Sequence, residues 1–221
     1  MPIVLAGLIL SFLVMLLFGG TEIDRGLLIL FSSTESPALK EAARILVWGA
    51  YPTPLLTAIM AAAAYLFVRS RWREALILLG VTLVGRLLVD GLQEATVGLR
   101  PPVNERLLPS QQPGYPSGHA ANATITGFAI AFLATRHHPF RSLALLLAAA
   151  LALSVVAARV MLGASWPSDV IGGWALGIVW TLLLLKLAKE DLSDGTARPL
   201  RHSPLKGEAH GKPQDRDGAP D

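Results

Sequence analysis

The segment Pro116-Ser117-Gly118-His119 combines a helix start with residue types that bind oxyanions and transfer protons. Proline followed by serine is typical of a helix N-terminus, where the serine can serve as the N-cap. Amides of the first helical turn have no partner within the helix, and together with the helix dipole they form an anion site. Gly118 lets the backbone approach closely, so a phosphate would accept hydrogen bonds from the Ser117 hydroxyl and from the Gly118 and His119 amides. His119 would then be placed to pass a proton to a leaving alkoxide. The alternative is a helix cap followed by an interfacial histidine.

Two arginines, Arg100 and Arg159, each follow the end of an apolar run and add donors suited to phosphate. A guanidinium group is planar and can give two parallel hydrogen bonds to one phosphate. If both side chains converge on the Ser117 cap, they would stabilise the extra charge of a pentacoordinate phosphorus. The alternative is that each arginine extends to a lipid headgroup at a membrane surface.

The elements that would position these residues are apolar helices. Of the 221 residues, 52% are hydrophobic and 16% are charged, whereas soluble domains carry about 25% charged residues. Six runs approach the roughly 20 apolar residues that cross a bilayer as a helix. The first run could instead be a signal peptide, but it lacks a basic leading segment and a clear cleavage site. We therefore predict an all-α polytopic membrane protein, a bundle of six transmembrane helices. The runs are Ile3–Phe18, Ile45–Val68, Ala75–Leu92, His119–Ala134, Leu143–Ala158 and Trp166–Leu187.

Basic residues favour an orientation in which both termini are cytoplasmic. In that orientation twelve lysines and arginines lie in cytoplasmic segments and six in outer segments, and five of the twelve fall in two short turns. Arg100, Ser117 and Arg159 then share the outer face. Residues 1–189 form the predicted membrane domain. Residues 190–221 are rich in Gly, Pro and mixed charges and are predicted to form a disordered cytoplasmic tail.

Composition argues against several other functions. The net charge of +3 comes without a basic stripe or interleaved aromatic residues, so we expect no nucleic-acid partner. The absence of cysteine excludes disulfides, thiolate chemistry and zinc bound by cysteine.

The three outer segments together resemble the type 2 phosphatidic acid phosphatase and vanadium haloperoxidase superfamily, in its membrane-bound branch. That family has the motifs K-x6-R-P, P-S-G-H and S-R-x5-H-x3-D. This sequence has Arg100-Pro101, then the P-S-G-H segment, then Arg159 and Asp169 at the family's spacing, and the resemblance extends from about Ile3 to Leu187. It implies a metal-independent hydrolase without a cofactor. It also implies that Asp169 orients the third-motif histidine, which attacks phosphorus, while His119 protonates the leaving group.

Three positions depart from the family pattern. Gln93 stands where the first motif has lysine, and we keep it as a phosphate-binding position. Ala158 replaces the serine before Arg159. Ser165 replaces the histidine that serves as the nucleophile in the family. The site is therefore degenerate relative to the family.

Three accounts of Ser165 stay open. It is the nucleophile, with His119 acting first as base and then as acid; or the protein binds lipid phosphates without turning them over; or the serine was introduced to trap substrate. The remaining histidines do not replace the missing one, because the predicted topology places them in a cytoplasmic turn or in the tail: His137, His138, His202 and His210.

Arg86 and Asp90 lie within the third apolar run, at a spacing that places them on one helix face. Ionisable groups inside a membrane indicate function by default. The pair is either an internal salt bridge, or Asp90 joins Glu94 in forming the floor of the phosphate pocket.

The sequence thus leaves hypotheses from different classes. The first is a lipid phosphate phosphatase acting at the outer face on phosphatidate-like or polyprenyl (di)phosphate substrates. The second is a catalytically impaired lipid-phosphate-binding or flippase-like protein on the same scaffold. A small transporter is a third, although the sequence shows no interrupted span beyond Pro52 and Pro54. Vanadate in the family is bonded to the missing histidine, which argues against haloperoxidase activity. We expect a bacterial plasma (inner) membrane location and leave the oligomeric state open.

Overall fold

The computed structural model describes residues 2–33, 36–96 and 114–194, apart from the side chains of Phe18 and of residues 187–194. The described residues form eight helices joined by short turns. These helices are α1 (Pro2–Phe18), α2 (Glu22–Ser32), α3 (Pro37–Gly49), α4 (Pro52–Val68), α5 (Trp72–Thr96), α6 (Gly118–Ala134), α7 (Arg141–Met161) and α8 (Pro167–Asp194).

Three helices within the described ranges are each long and apolar enough to cross a membrane: α5, α7 and α8 as far as Lys186. The helices α1 and α2 form a pair bent by 97°, and α3 and α4 form a pair bent by 57°; counting each pair as one span raises the number to five. The fourth predicted span corresponds to α6, which has 17 residues and packs against α5, α7 and α8. The chain is therefore an all-helical, multi-pass membrane protein, and the count of six spans stays a prediction.

The second predicted span, Ile45–Val68, is not one continuous helix, because α3 ends at Gly49 and α4 begins at Pro52. Proline has no amide hydrogen and its ring collides with the preceding turn, so Pro52 begins a new helix instead of continuing α3. The bend carries the start of α4 towards the N-terminal end of α6, where Tyr51 contacts His119.

The stretch between the first two apolar runs, treated as a connection in the sequence analysis, contains α2 and most of α3. Ser36 caps α3 by accepting a hydrogen bond from the Leu39 amide at 3.4 Å. In α2 the buried side chains of Asp24 and Leu28 are four residues apart, so one stripe of this helix faces the bundle.

Small residues allow α8 to pack closely against α6. Ala120 and Ala121 are fully buried. A Cβ atom on Gly177 would lie 2.8 Å from the Thr124 Cβ, and one on Gly173 would overlap the Ser117 carbonyl oxygen. Small residues therefore permit the close helix contact that packing in a membrane requires.

At one end of the bundle, Arg71 links the turn before α5 to the end of α6. It pairs with Glu74 and donates to the carbonyl oxygens of Leu133, at 2.5 Å, and Ala134, at 3.3 Å. This end carries the two short basic turns. The Ser117 amide lies at the opposite end, where it donates to the Asp169 carbonyl oxygen at 2.8 Å. The second and third motifs are thus brought together at one end of the molecule.

The last helix continues to Asp194, five residues beyond the predicted end of the membrane domain. Residues 195–221 lie outside the described ranges, so the disordered tail stays a prediction.

Candidate active site

Ser117 occupies the N-cap position of α6 in an extended conformation, with φ −64° and ψ 113°. Its side chain makes no capping hydrogen bond, and its buried Oγ has no hydrogen-bond partner among the described residues. A buried hydroxyl without a partner costs about 1–3 kcal/mol. The helix N-terminus therefore presents an unused donor together with its first-turn amides, which is the arrangement predicted for phosphate binding.

His119 lies in the first turn of α6 and is 6% exposed. Its ring meets the ring of Tyr51 edge to face, with centroids 4.7 Å apart. In the described part of the chain its Nε2 has no hydrogen-bond partner. An imidazole nitrogen with no protein partner at the start of this helix can exchange a proton with a bound ligand. The sequence analysis gave no sign of Tyr51, because the contact depends on the bend at Pro52.

Gln93 is buried and supports the P-S-G-H segment. Its Nε2 donates to the Pro116 carbonyl oxygen at 2.8 Å. The same amide packs against Gly118, where a Cβ would lie 3.3 Å from Gln93 Nε2. The neutral amide thus holds the turn before α6 through a bond to the backbone. Its predicted phosphate-binding role stays a prediction.

Arg159 ends α7 and binds the residue that replaces the family histidine. Its Nη2 donates to Ser165 Oγ at 2.6 Å, and its Nε donates to the same atom at 3.2 Å. Nη2 also reaches the Ala164 carbonyl oxygen at 3.3 Å. Arg159 and Ser165 are both buried, so a guanidinium and a hydroxyl form a compact polar pair between the end of α7 and the start of α8.

Asp169 lies in the first turn of α8 and is 1% exposed. Its carbonyl oxygen accepts the Ser117 amide, so α8 and the start of α6 are joined at the predicted site. Gly172 and Gly173 make this approach possible. A Cβ at Gly172 would lie 2.5 Å from the Tyr115 ring, and one at Gly173 would overlap Ser117.

Asp24 is a residue at this site that the sequence analysis did not identify. Its carboxylate accepts hydrogen bonds from the Ser168 amide at 2.9 Å, the Ser168 hydroxyl at 2.5 Å and the Gly20 amide at 2.8 Å. It therefore binds the N-terminus of α8 next to Asp169, with the polarity that a helix dipole favours. The partners are 144 residues apart, and no short-range pattern connects them.

Of the eight predicted site residues, Arg100 lies outside the described residues. The structure brings the others together at one end of the bundle. Asp90 and Glu94, considered together as a floor of the phosphate pocket, lie differently in the structure. Asp90 lines the cleft beside His119, whereas Glu94 is exposed and is not among the lining residues.

Two connected cavities reach this site from the membrane side. A narrow polar cleft contains Arg86, Asp90, Gln93, Gly118, His119 and Asn122 among its lining residues. An apolar groove of about 620 Å³ lies between α4, α5 and α6. The cleft and the groove share Pro52, Leu55, Arg86 and Asn122. A groove of this volume is large enough for part of a lipid chain.

Comparison with known proteins identifies the family. The sequence model of the PAP2 superfamily matches residues 74–192, which is more than half of the chain. The chain therefore belongs to the PAP2 superfamily, and the resemblance drawn from its motifs is confirmed.

Relatives and solved structures show which members it is similar to. The chain is 33% identical over 135 residues to phosphatidylglycerophosphatase B of Bacillus subtilis (strain 168), a match spanning 59% of this chain and 64% of that protein. It superposes with a TM-score of 0.74 and 27% identity on the crystal structure of a transmembrane PAP2-type phosphatidylglycerolphosphate phosphatase from Bacillus subtilis, covering 89% of this chain and 98% of that one. LpxE of Aquifex aeolicus shares the fold, with a TM-score of 0.58 and 20% identity over 75% of this chain and 96% of that one.

Proposed function

We propose that the protein hydrolyses the terminal phosphomonoester of a membrane lipid phosphate, using Ser165 in place of the usual histidine nucleophile. Its relatives named for phosphatidylglycerophosphate support a glycerophospholipid phosphate as the substrate class. The headgroup lies at the start of α6, and the apolar chains enter from the groove between α4 and α5. Phosphatidate and polyprenyl diphosphates are the other candidate substrates.

One observation carries the proposal. Two buried polar atoms, Ser117 Oγ and His119 Nε2, have no partner in the described residues, and both belong to the first turn of one helix. Buried polar groups are rarely left unpaired, so such a pair indicates a polar ligand. The positive end of the helix dipole and the nearby Arg159 make that ligand an anion.

In the first step, Ser165 Oγ forms a bond to phosphorus and its proton passes to His119. The bond between phosphorus and the lipid oxygen breaks, and His119 returns the proton to the leaving alkoxide. Arg159 stabilises the negative charge that develops on Oγ and on the phosphoryl oxygens. In the second step, water attacks the phosphoserine, gives a proton to His119 and releases phosphate, and Ser165 Oγ recovers that proton.

Substrate binding must bring Ser165 and His119 closer than they are in the structure. His119 Nε2 accepts no hydrogen bond from Ser165 here, and the Ser165 hydroxyl is instead bound by Arg159. A phosphate accepting from Arg159 would free the hydroxyl to reach His119. Catalytic hydrogen bonds are often longer in an empty site than in the substrate complex.

A second candidate function rests on the same contact. If Arg159 keeps Ser165 Oγ occupied when lipid is bound, the protein binds lipid phosphates without cleaving them. The anion site at α6 is compatible with both functions. A measurement of substrate turnover therefore distinguishes the two functions, whereas a binding measurement does not.

The test is phosphate release by the purified protein from phosphatidylglycerophosphate, phosphatidate and undecaprenyl diphosphate. We expect release by the natural sequence, and a loss of about a thousandfold or more in Ser165→Ala, because removal of a nucleophile typically costs that much. Phosphate transferred to Ser165 should be trapped by acid quenching and found by mass spectrometry.

Two further variants, Ser165→His and the double change Gln93→Lys with Ser165→His, restore the family residues. Equal activity of Ser165→Ala and the natural sequence would refute the serine nucleophile. If only the variants that carry a histidine at position 165 hydrolyse substrate, the natural sequence is a lipid-phosphate-binding protein and not a phosphatase.

The proposal includes a location. We place the chain in a bacterial plasma membrane with both termini cytoplasmic and the site facing outward. The basic turns around Arg71 and His137 lie at the opposite end of the bundle from Ser117, as this orientation requires.

A further inference from the structure

Arg86 is a cation on the lipid side of the candidate site, and the family motifs do not include it. It lies on α5, seven residues before Gln93. Seven residues are nearly two helical turns, so the two side chains leave the same face of α5 about 10 Å apart along its axis. Both line the polar cleft with His119.

The order of the surfaces around Arg86 matches the order of groups in a lipid phosphate. His119 and Gly118 lie at one end of the polar cleft, Arg86 and Asn122 line both the cleft and the groove, and the groove beyond them is mainly apolar. The cleft encloses about 30 Å³, which is room for roughly two water-sized groups. A slender polar linker fits there, with an anionic group at Arg86 and apolar chains in the groove.

Asp90 neutralises Arg86 only loosely. Their closest atoms, Arg86 Nε and Asp90 Oδ2, are 3.7 Å apart, which is beyond hydrogen-bond distance. The two side chains are 48% and 53% exposed in a helix that crosses the membrane. Charged groups within a membrane-spanning helix are energetically costly and are usually retained for function. The guanidinium therefore has donors available for a ligand.

Spacing distinguishes two kinds of lipid with a second phosphate. In a diphosphate only two bonds separate the phosphorus atoms, whereas six bonds separate them when a glycerol joins a phosphomonoester to a phosphodiester. Arg86 is set back from Gln93 and the start of α6 by about 10 Å of helix. The longer linker allows one phosphate at α6 and the other at Arg86.

We infer that Arg86, with Asn122 beside it, binds a phosphodiester that a glycerol separates from the scissile phosphomonoester. Arg86 is thus a specificity residue that favours phosphatidylglycerophosphate over phosphatidate, which lacks the second phosphate. This inference rests on the proposed function for its substrate pose. Asp90 competes with the phosphodiester for the guanidinium.

The test compares Arg86→Gln with the natural sequence on phosphatidylglycerophosphate and phosphatidate in the same detergent micelles. A charge-assisted hydrogen bond is worth enough to predict a fall of about tenfold to a hundredfold in kcat/KM on phosphatidylglycerophosphate. On phosphatidate the value should change less than about threefold. Asp90→Asn should lower KM for phosphatidylglycerophosphate more than it lowers KM for phosphatidate. Arg73→Gln is the matched control, because Arg73 lies on the same helix over the Trp72 ring, near its opposite end.

A binding measurement decides the inference even if turnover is absent. Phosphatidylglycerol keeps the phosphodiester but has no phosphomonoester, so it should bind the natural sequence and bind Arg86→Gln at least about tenfold more weakly. Diacylglycerol is the control ligand. Equal effects of Arg86→Gln on both phosphate substrates, or unchanged phosphatidylglycerol binding, would overturn the inference. A selective loss on undecaprenyl diphosphate would overturn it in favour of a diphosphate. Failure of every preparation to release phosphate would count against the proposed function alone.

Discussion

The hydroxyl of Ser165 and the hydroxyl of Ser117 are both buried at the site, but they have different partners. Ser165 Oγ accepts two hydrogen bonds from Arg159, whereas Ser117 Oγ accepts none from the described residues. A guanidinium that donates twice to one oxygen favours negative charge on that oxygen. These contacts suit Ser165 for bond formation to phosphorus and Ser117 for binding the phosphate.

Replacing Ser117 with alanine separates ligand binding from stability. An N-cap serine that caps its helix stabilises a protein by about 0.5–2 kcal/mol, but Ser117 makes no capping bond. We expect Ser117→Ala to keep the thermal midpoint or to raise it, because the change removes a buried hydroxyl that has no partner in the described residues. The same change should weaken lipid phosphate binding by about tenfold, the value of one hydrogen bond to a charged group. Differential scanning fluorimetry and lipid phosphate titration check this.

Ser154→Ala is the matched control, because Ser154 lies on the exposed side of α7 and bonds only within its helix. A Ser117→Ala protein that loses several degrees of stability while it keeps full affinity would show that the serine serves the fold and not the ligand.

At the scale of the elements, contact between α6 and α8 builds the site. Gly173 faces the Ser117 carbonyl oxygen so closely that any Cβ would overlap it. The overlapping atom belongs to the backbone, so relief requires the two helices to separate. That separation would stretch the bond from the Ser117 amide to Asp169.

We therefore predict that Gly173→Ala lowers the free energy of unfolding by about 1–3 kcal/mol, the usual cost of overpacking, and lowers activity by a larger factor than stability alone explains. Gly91→Ala on α5 is the matched control. A Cβ there meets nothing within 4 Å, and alanine favours a helix over glycine by about 1 kcal/mol. Equal behaviour of the two variants in unfolding and in turnover would contradict a close contact at Gly173.

Sequence alone identified the elements whose signals are local. The apolar runs predicted α5, α6, α7 and α8, and the P-S-G-H spacing located the start of α6. The break at Pro52 was noticed but not taken as the end of a helix, since proline near a helix start is also ordinary. The helix α2 was missed because its stripe of buried residues includes a carboxylate, Asp24, which a hydropathy pattern scores as solvent-exposed.

The site was predictable in part for the same reason. Ser117, His119, Arg159 and Asp169 follow motif spacing. The support for these residues does not follow any spacing, because Tyr51 and Asp24 reach the site from other helices. Spacing also gave no sign that Ser165 is bound by Arg159 in the structure.

At the scale of the whole molecule, the absence of cysteine makes the predicted orientation simple to test. Ser33 lies between the first two predicted spans, at the end of the helix whose first turn binds the start of α8 through Asp24. His138 lies in the turn between α6 and α7, at the end of α6 opposite to Ser117. Both residues are exposed. A membrane-impermeant maleimide should label Ser33→Cys in intact cells and should label His138→Cys only after the membrane is opened.

Labelling of His138→Cys alone in intact cells would show that the site does not face outward. The orientation would then have to be reversed, and the proposed access of outer-leaflet lipids would fail with it.

The bond between Asp24 and Ser168 affects how members of this family can be compared and recombined. The match to the family's sequence model starts at residue 74, fifty positions after Asp24, whose carboxylate binds the beginning of α8. A transfer of residues 74–192 from this chain into a relative would carry Ser165 and Asp169 without Asp24, which binds Ser168 between them. Hybrid proteins built from this chain should therefore inherit α2 together with residues 74–192, although the family's sequence model does not include that helix.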